Sequence, residues 1–413
     1  MRSILPALLV TCLVVVQGSV FAGDLIPPAG PIVSTMKTLQ QIEPRIPINS
    51  TNTPGDADST YKISRPGNYY LTDNLIGEFG KAGIEIEAAN VTVDLMGFEL
   101  VGVFGSLDGI AGTSAPDGVT IRNGRVSKWG DDGIDLHTTA NVVLESIVVS
   151  GAAGWGLDVG FNASIRDCTT SGCTIGIFVS GQANVSGCAS YQNVADGFLI
   201  GWGSLVSDCI SRDNGNDGYE IGNGVNVVDC ASMSNGATGF NAGEGCSISR
   251  CTSYQDVFYG VHADEGTTVA DCTVRFARPA GIFLQDYAVA RDNTVSQTIN
   301  DGIVAASYCT VIGNSVLEAG VSNDNFGVGI RVTGNDTRIE ANQCTRCDLG
   351  MRVTATENLI IRNTCSANSA HWDIAAGNRL APIVLGGLNA APVMGSTYAG
   401  SLGTTDPNAN FTY

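Results

Sequence analysis

The chain has 413 residues, of which 44% are hydrophobic and only 15% are charged, and it contains 52 glycines. It has 21 basic and 40 acidic residues, which gives a formal net charge of −19. This charge predicts no nucleic-acid partner, because the chain and a phosphate backbone would repel each other. The same repulsion disfavours polyanionic sugars, unless a divalent cation bridges them to the protein.

The N-terminal residues 1–22 are predicted to be a secretory signal peptide. Arg2 supplies a positive charge, Ile4–Val16 an apolar run, and Val20–Ala22 a small-residue cleavage site. No other stretch is apolar and long enough to cross a bilayer. We therefore predict a secreted or cell-surface protein without a membrane span in the mature chain. Residues 23–60 contain six prolines and no repeat, which predicts an extended leader.

A repeat dominates residues 61–376. A glycine recurs every 21 residues through the middle of the chain, and it opens a phrase of alternating apolar and variable residues. This period predicts an all-β solenoid of about 13 stacked coils, with the variable residues on the outer face. Residues 377–413 lose the repeat and are predicted to form an irregular tail. The glycines at constant spacing are Gly176, Gly197, Gly218, Gly239, Gly260, Gly281 and Gly302.

Twelve of the 13 cysteines follow the predicted signal peptide, and several share one position of the coil. Asn293 and Asn314 hold this position further along the chain. A shared position favours a stacked ladder of free, packed thiols. Disulfides, which are common in exported proteins, remain the alternative, and metal binding is a weaker one. The cysteines at this position are Cys168, Cys188, Cys209, Cys230, Cys251 and Cys272.

Three segments carry a resemblance to a known family: ISRPGNYYLTDNL, GIEIEAANVTVDLMGFELVG and the ending GTTDPNANFTY. They resemble secreted bacterial repeat proteins of the pectin-lyase-like superfamily. The resemblance implies a single-stranded, right-handed parallel β-helix over nearly all of the mature chain. Members of that superfamily include polysaccharide lyases, glycoside hydrolases, epimerases and phage tailspikes. Since one fold carries many activities, it does not fix the chemistry.

The densest polar cluster lies in the third coil and predicts the catalytic residues. Outward positions on adjacent coils should bring carboxylates together, which raises the pKa of one of them, as glycoside hydrolysis requires of its acid. The DDGI phrase resembles the paired aspartates of polygalacturonases, whose GHG and RIK motifs have no counterpart here. Asp-Gly is also ordinary turn chemistry. The predicted catalytic residues are Asp131, Asp132, Asp135, His137 and Asp158.

Aromatic residues beside this cluster are predicted to bind substrate, because flat rings pack on the apolar faces of sugars. They are Trp129, Trp155 and Phe178, which could equally be core or corner residues. No metal ligand is assigned with certainty. A calcium ion could draw on the acidic column formed by Glu85, Asp135 and Asp158.

Two other outward groups are interpreted as solvated surface: the pair His262 and Asp264, and the basic residues Arg331 and Arg352, which have no acidic neighbour in their column. The sequence therefore favours a secreted β-helix that binds or processes a polysaccharide, as a lyase or a glycoside hydrolase. The alternative is a non-enzymatic cell-surface or matrix protein that acts as an adhesion module.

Overall fold

The computed structural model describes residues 43–114, 116–320, 327–385 and 405–413. The predicted signal peptide lies outside these ranges. Arg45–Tyr413 forms one compact unit. None of the described residues belongs to a helix with the length and apolar character needed to span a membrane.

The unit is built from parallel strands in two sheets, which alternate along the chain. Sheet 1 has fifteen strands among the described residues, each hydrogen-bonded to the strand one coil away. They are Ser59–Ile63, Ala82–Ile86, Ile110–Gly112, Ile134–Leu136, Leu157–Phe161, Ile177–Gly181, Phe198–Trp202, Tyr219–Ile221, Phe240–Ala242, Val261–Ala263, Ala280–Leu284, Asp301–Ala305, Val328–Val332, Leu349–Val353 and Ala370–Ile374.

In the part of the chain that the structure describes, sheet 2 has thirty strands, usually two to a coil, and it supplies the remaining walls of the solenoid. They are Ile46–Pro47, Gly67–Tyr70, Leu75–Ile76, Val91–Asp94, Glu99–Val101, Thr120–Ser127, Val143–Ser150, Ser164–Arg166, Thr169–Ser171, Asn184–Ser186, Ala189–Tyr191, Leu205–Ser207, Ile210–Arg212, Asn226–Val228, Ala231–Met233, Ser247–Ser249, Thr252–Tyr254, Thr268–Ala270, Thr273–Arg275, Val289–Arg291, Thr294–Ser296, Thr310–Ile312, Ser315–Leu317, Arg338–Glu340, Gln343–Thr345, Leu359–Ile361, Thr364–Ser366, Arg379–Leu380, Ile383–Leu385 and Asn410–Thr412.

The register of sheet 1 confirms the predicted alternation. Ile177 pairs with Phe198, and Phe198 with Tyr219, so the inward residues stack directly on one another. The rings of Phe198 and Tyr219 lie 4.8 Å apart and nearly parallel, and both side chains are completely buried. The intervening residues, such as Glu220, remain partly exposed. Stacking buries an apolar face that a single coil could not cover by itself.

The fifteen strands of sheet 1 exceed the expected thirteen coils by one at each end. Tyr61 pairs with Ile84, which places Thr60 in the glycine position of the first coil. Met351 pairs with Trp372, so His371 occupies the glycine position of the last coil. The glycine pattern misses these two coils because neither contains the glycine.

Crowding explains the glycine of the repeat. A Cβ at Gly218 would lie 2.7 Å from the carbonyl oxygen of Gly239 and 2.8 Å from Nδ2 of Asn235. Gly218 does not have a positive φ, whereas Asp208 and Asp229 at nearby corners have φ of 55°. Short polar residues are common at the left-handed corners, although Arg250 and Phe276 also adopt a positive φ. Glycine is needed instead where neighbouring coils approach most closely.

The cysteine ladder is confirmed as a stack of free thiols. All twelve described cysteines are unpaired and buried. The backbone N–H of Cys188 donates to Sγ of Cys209 over 3.4 Å. Asparagine then takes over the position, as predicted: the N–H of Cys272 donates to Oδ1 of Asn293, and that of Asn293 to Oδ1 of Asn314. Both residue types accept the corner N–H of the preceding coil.

Both ends of the solenoid extend further than predicted. Ile46–Pro47 pairs with Gly67–Tyr70, and Ile48 is buried, so the part of the predicted leader from 45 to 60 belongs to the β-helix unit. At the other end, Asn410–Thr412 pairs with Thr364–Ser366, and Oδ1 of Asn410 accepts the N–H of Asn363. The described parts of the predicted irregular tail therefore continue sheet 2.

Candidate functional site

The outer face of sheet 1 carries a column of side chains in direct register. Asp135 pairs with Asp158, and Asp158 with Phe178 on the following coil. In the other direction Asp135 pairs with Ala111, which in turn pairs with Glu85. The column predicted from the sequence is therefore present, and Asp158 lies between a carboxylate and an aromatic ring.

His137 joins the two aspartates of this column into one cluster. Its Nδ1 lies 2.7 Å from Oδ1 of Asp135 and 3.7 Å from Oδ2 of Asp158. The backbone N–H of His137 also donates to Oδ1 of Asp135 over 3.1 Å, which fixes the carboxylate beside the ring. The His137 side chain is 53% exposed, so the cluster is open to solvent on that side.

Asp158 is the buried member of the cluster, with 5% of its surface exposed. Its Oδ1 is buried without a hydrogen-bond partner among the described residues. Burial, followed by the charge of Asp135, raises the pKa of Asp158 to about 7. The hydrogen bond to Asp135 raises the pKa of His137 in turn. The structure thus holds a carboxyl group with an unused oxygen next to a carboxylate–imidazole pair.

A second acidic group lies at the corner before the glycine. Oδ1 of Asp108 accepts the N–H of Asp132, and Oδ1 of Asp132 accepts the N–H of Trp155. Burial raises the pKa of Asp108 to about 7 and that of Asp132 to about 6. These bonds make Asp108 and Asp132 parts of the corner, whereas Asp131 is exposed beside them. The elevated pKa of Asp108 depends on three-dimensional burial, which the sequence does not display.

Only two of the three predicted aromatic residues lie at the surface of the site. The rings of Trp155 and Phe178 are 4.8 Å apart, and both residues are partly exposed. Trp129 is 1% exposed, and its Nε1 donates to the carbonyl of Leu100. Its ring fills the interior, since a Cβ on Gly83 would lie 2.7 Å from it. Trp129 is therefore a core residue, and its assignment to substrate binding is corrected.

A further aromatic pair was missed by the sequence analysis. Phe161 and Trp202 end two strands of sheet 1 and are 43% and 51% exposed. Their ring centroids lie 6.2 Å apart, and Gly181 pairs with both residues from the coil between them. Phe161 belongs to the same strand as Asp158. An aromatic residue directly before a left-handed turn residue, here Asn162, was the available signal.

Loops on the other side of the cluster add two exposed rings that were also missed. Phe104 is 96% exposed and Phe79 is 77% exposed. A Cβ on Gly105 would lie 2.5 Å from the Phe79 ring, so this ring lies against the loop that carries Phe104. Their positions follow from irregular insertions, which the repeat does not predict.

Glu85 is separated from the cluster despite its place in the column. Its Oε1 accepts a hydrogen bond from Thr113, and Lys62 Nζ lies 3.1 Å from its Oε2. Ala111 stands between it and Asp135. The calcium set considered from the sequence, Glu85 with Asp135 and Asp158, is therefore not assembled.

Two other surface interpretations need correction. Arg352 forms an ion pair with Asp373, which occupies the next position of the same column, and Arg331 pairs with Asp301. His262 lies 3.8 Å from Asp264, but its ring also packs in a cluster with the rings of Tyr259 and Phe283, which contact each other as well. Neither group is simply solvated.

Comparison with protein families places this chain by its fold. The model of the right-handed β-helix region matches residues 108–258, and the model of the periplasmic copper-binding protein NosD matches residues 203–381. The chain is a right-handed β-helix repeat protein. A comparison with curated proteins finds no match.

Solved structures of similar fold include three from different sources. The A-module of the mannuronan C-5 epimerase AlgE4 from Azotobacter vinelandii is 12% identical, covers 71% of this chain and 91% of its own, and has a TM-score of 0.48. A mutant of the periplasmic alginate epimerase AlgG is 9% identical, and the alignment covers 81% of this chain and 84% of the epimerase, with a TM-score of 0.40. A tailspike mutant of E. coli bacteriophage HK620 is 13% identical, and the alignment covers 73% of this chain and 59% of the tailspike, with a TM-score of 0.35.

The described residues that match the NosD model do not form a copper site. Three groups of candidate metal ligands occur in the described chain, and all of them lie between residues 56 and 158. Within the matched range, Nδ1 of His262 is bonded to Asn241, and Nδ1 of His371 lies 3.3 Å from Nδ2 of Asn368. Copper favours clustered imidazole and sulfur ligands. The cysteines of this range are free and buried, but among the described residues they do not join other ligands in a group of three with ligand atoms within 4.8 Å of one another.

Proposed function

We propose that the protein binds a polysaccharide along the outer face of sheet 1 and processes it at the cluster of Asp135, His137 and Asp158. One observation carries the proposal: two aromatic pairs, Trp155–Phe178 and Phe161–Trp202, lie next to this carboxylate–imidazole cluster. Rings supply apolar faces for the sugar, and the polar cluster supplies hydrogen-bonding and reactive groups.

The arrangement suits a polymer better than a small molecule. Parallel strands of a sheet repeat about every 4.8 Å, so side chains in register present the same kind of contact at regular intervals. Asp135, Asp158 and Phe178 occupy three successive coils of one column. A chain laid along the column would meet carboxylates first and aromatic rings next.

The charge of the face favours an uncharged polysaccharide. Asp108, Asp131 and Asp132 form a second acidic group, and the charges of Asp108 and Asp132 act on Asp158. No lysine or arginine pairs with Asp135 or Asp158 among the described residues. A polyuronate would meet this group of carboxylates with a like charge. The predicted signal peptide supports an exported location, as do the periplasmic descriptions of NosD and AlgG.

The proposal is tested by exposing the purified mature chain to uncharged and anionic polysaccharides, with and without chelator. Binding is measured by affinity electrophoresis, and products by unsaturated-product absorbance and by release of reducing ends. We expect binding to a neutral polymer, and we expect Trp202→Ala and Phe161→Ala to weaken it. Failure of the folded protein to bind any glycan, together with capture of a protein ligand, would favour the adhesion module instead.

A further inference from the structure

We propose that Asp135, His137 and Asp158 form a binding site for one divalent transition-metal ion. These three residues each offer a ligand atom, and the atoms lie within 4.8 Å of one another. The inference goes beyond polysaccharide binding, because it concerns an ion and can be tested with no sugar present.

The spacing of the three ligand atoms matches small-ion coordination. Nδ1 of His137 lies 2.7 Å from Oδ1 of Asp135 and 3.7 Å from Oδ2 of Asp158. Tetrahedral zinc bonds of about 2.0–2.1 Å place neighbouring ligand atoms about 3.3 Å apart. The two observed separations fall on either side of that value, so small movements of exposed His137 would complete the geometry.

A buried oxygen supplies the independent observation. Asp158 is 5% exposed, and no hydrogen bond is made by its carboxylate among the described residues: Oδ2 faces Nδ1 of His137 at 3.7 Å, and the other oxygen, Oδ1, is buried without a partner. Leaving a buried carboxylate oxygen unsatisfied is costly, and a cation is one of the few groups that compensates for it. No basic residue fills this role, because the only ion pair of Asp158 in the described chain is with His137.

The ligand types select the class of ion. Imidazole with two carboxylates suits zinc and similar first-row divalent ions. Calcium takes six to eight oxygen ligands, whereas only two carboxylates and a nitrogen are gathered here. Three protein ligands leave a coordination position open, and the exposed side of His137 would direct it toward the proposed sugar face. The site lies outside residues 203–381, so it is independent of the match to the copper-binding family.

The test uses the folded mature chain, with no affinity tag, in titrations with Zn²⁺ followed by calorimetry and with Co²⁺ followed by visible absorption. We expect one Zn²⁺ per chain and a Co²⁺ spectrum without a thiolate charge-transfer band. His137→Ala and Asp158→Asn should each weaken Zn²⁺ binding roughly 100-fold, since each removes one of three direct ligands. Ca²⁺ should not compete.

A matched control is His262→Gln, which removes another histidine of sheet 1, one that packs against the rings of Tyr259 and Phe283. It should leave the Zn²⁺ affinity unchanged. His137→Ala removes a mostly exposed side chain, so it should fold even if Asp158→Asn does not. Absence of Zn²⁺ binding by the folded protein would overturn the inference, as would binding that His137→Ala leaves intact.

The outcome is separable from that of the proposed function. If glycan binding persists in chelator and no Zn²⁺ binds, the metal site is wrong and the sugar face stands. If Zn²⁺ binds and depends on His137 but no glycan binds, the metal site stands and the sugar face is wrong.

Discussion

Two regions of the same sheet show contrasting solutions for outward polar residues. In the middle coils, Nδ2 of Asn241 donates to Glu220 over 2.6 Å and to Asp217 over 3.1 Å, while its Oδ1 accepts from His262. In the earlier coils, Asp158 retains a buried oxygen without a partner. The middle group is internally satisfied, and the earlier group is not. An outward polar group that lacks hydrogen-bond partners is therefore a better sign of a binding site than the residue types alone, since both groups contain carboxylates and a histidine.

The contrast between the two groups would be wrong if both of them bound sugar. Asp158→Asn is expected to lower glycan affinity or turnover roughly 100-fold, because it changes a group at the centre of the proposed site. Glu220→Gln, the matched change in the middle group, should alter either quantity less than about twofold. Affinity electrophoresis and product release measure both variants. Equal losses in the two variants would contradict the distinction.

The free energy of unfolding should respond more to a substitution in the middle group than to one in the earlier group. Asn241→Ala removes the donor shared by Glu220 and Asp217, so it should lower the free energy of unfolding by about 2 kcal/mol. His137→Ala removes an exposed ring and should change that free energy by less than about 0.5 kcal/mol. Thermal or denaturant unfolding of both variants gives the comparison. A larger loss for His137→Ala would mean that the earlier group is the structural one.

The exposed aromatic pair Phe161–Trp202 gives a second test that the earlier coils bind the sugar. Trp202→Ala should weaken glycan binding about tenfold, since stacked aromatic contacts typically contribute about 0.5–1.5 kcal/mol beyond the area they bury. Tyr287→Ala serves as the control, because Tyr287 is 52% exposed but lies in a turn several coils away and stacks on Tyr308. If the control weakens binding as much as Trp202→Ala does, the sugar does not depend on the proposed face.

Asp256 offers a smaller, pH-dependent test in the middle coils. Burial raises its pKa, while Oδ1 accepts two hydrogen bonds from Asn235 and Oδ2 accepts one from Ser253. A carboxyl group whose pKa is raised by folding contributes its full stabilisation at pH values below its pKa in the unfolded chain. This contribution is lost as the pH rises through its pKa in the folded protein. Asp256→Asn should therefore increase stability by about 1 kcal/mol at neutral pH.

The gain should vanish in acid, where the native aspartate is protonated. Asparagine fits because Nδ2 of Asn214, at the matching position two coils earlier, donates to Oγ of Ser211 over 2.9 Å, so the contact with the serine would be kept with its direction reversed. Melting temperatures of both proteins across the acidic range measure the effect. A gain that is independent of pH would show that the charge of Asp256 is not its cause.

The sequence predicted the fold well because the repeat is set by local rules. Gly218 marks a close approach of coils, Tyr219 an inward position and Glu220 an outward one, and these roles recur at fixed spacing. The end coils lie in or next to the predicted range 61–376 but were not counted among the thirteen, because Thr60 and His371 replace the marker glycine.

The candidate site was predicted only in part. Asp135 and Asp158 share an outward column, which alternation reveals, whereas Trp129 was misplaced because a corner position does not say whether its ring turns inward. Phe161 and Trp202 were missed because both follow the regular part of the strand. The unpartnered oxygen of Asp158 depends on what surrounds it, and no single-residue pattern reports that.

The N–H bonds of the cysteine and asparagine ladder point toward the following coil, whereas the corner bonds that Asp108 and Asp132 accept point toward the preceding one. The N–H of Asn193 donates to Asn214, that of Asn314 to Asn342, and that of Asn363 to Asn410 in the last strand. Each coil therefore holds an open donor until the coil that follows it in the chain has docked. A chain that folds from its N-terminal coils onward can therefore add one coil at a time. The donor of Asn363 is satisfied by Asn410, which lies 47 residues further along the chain.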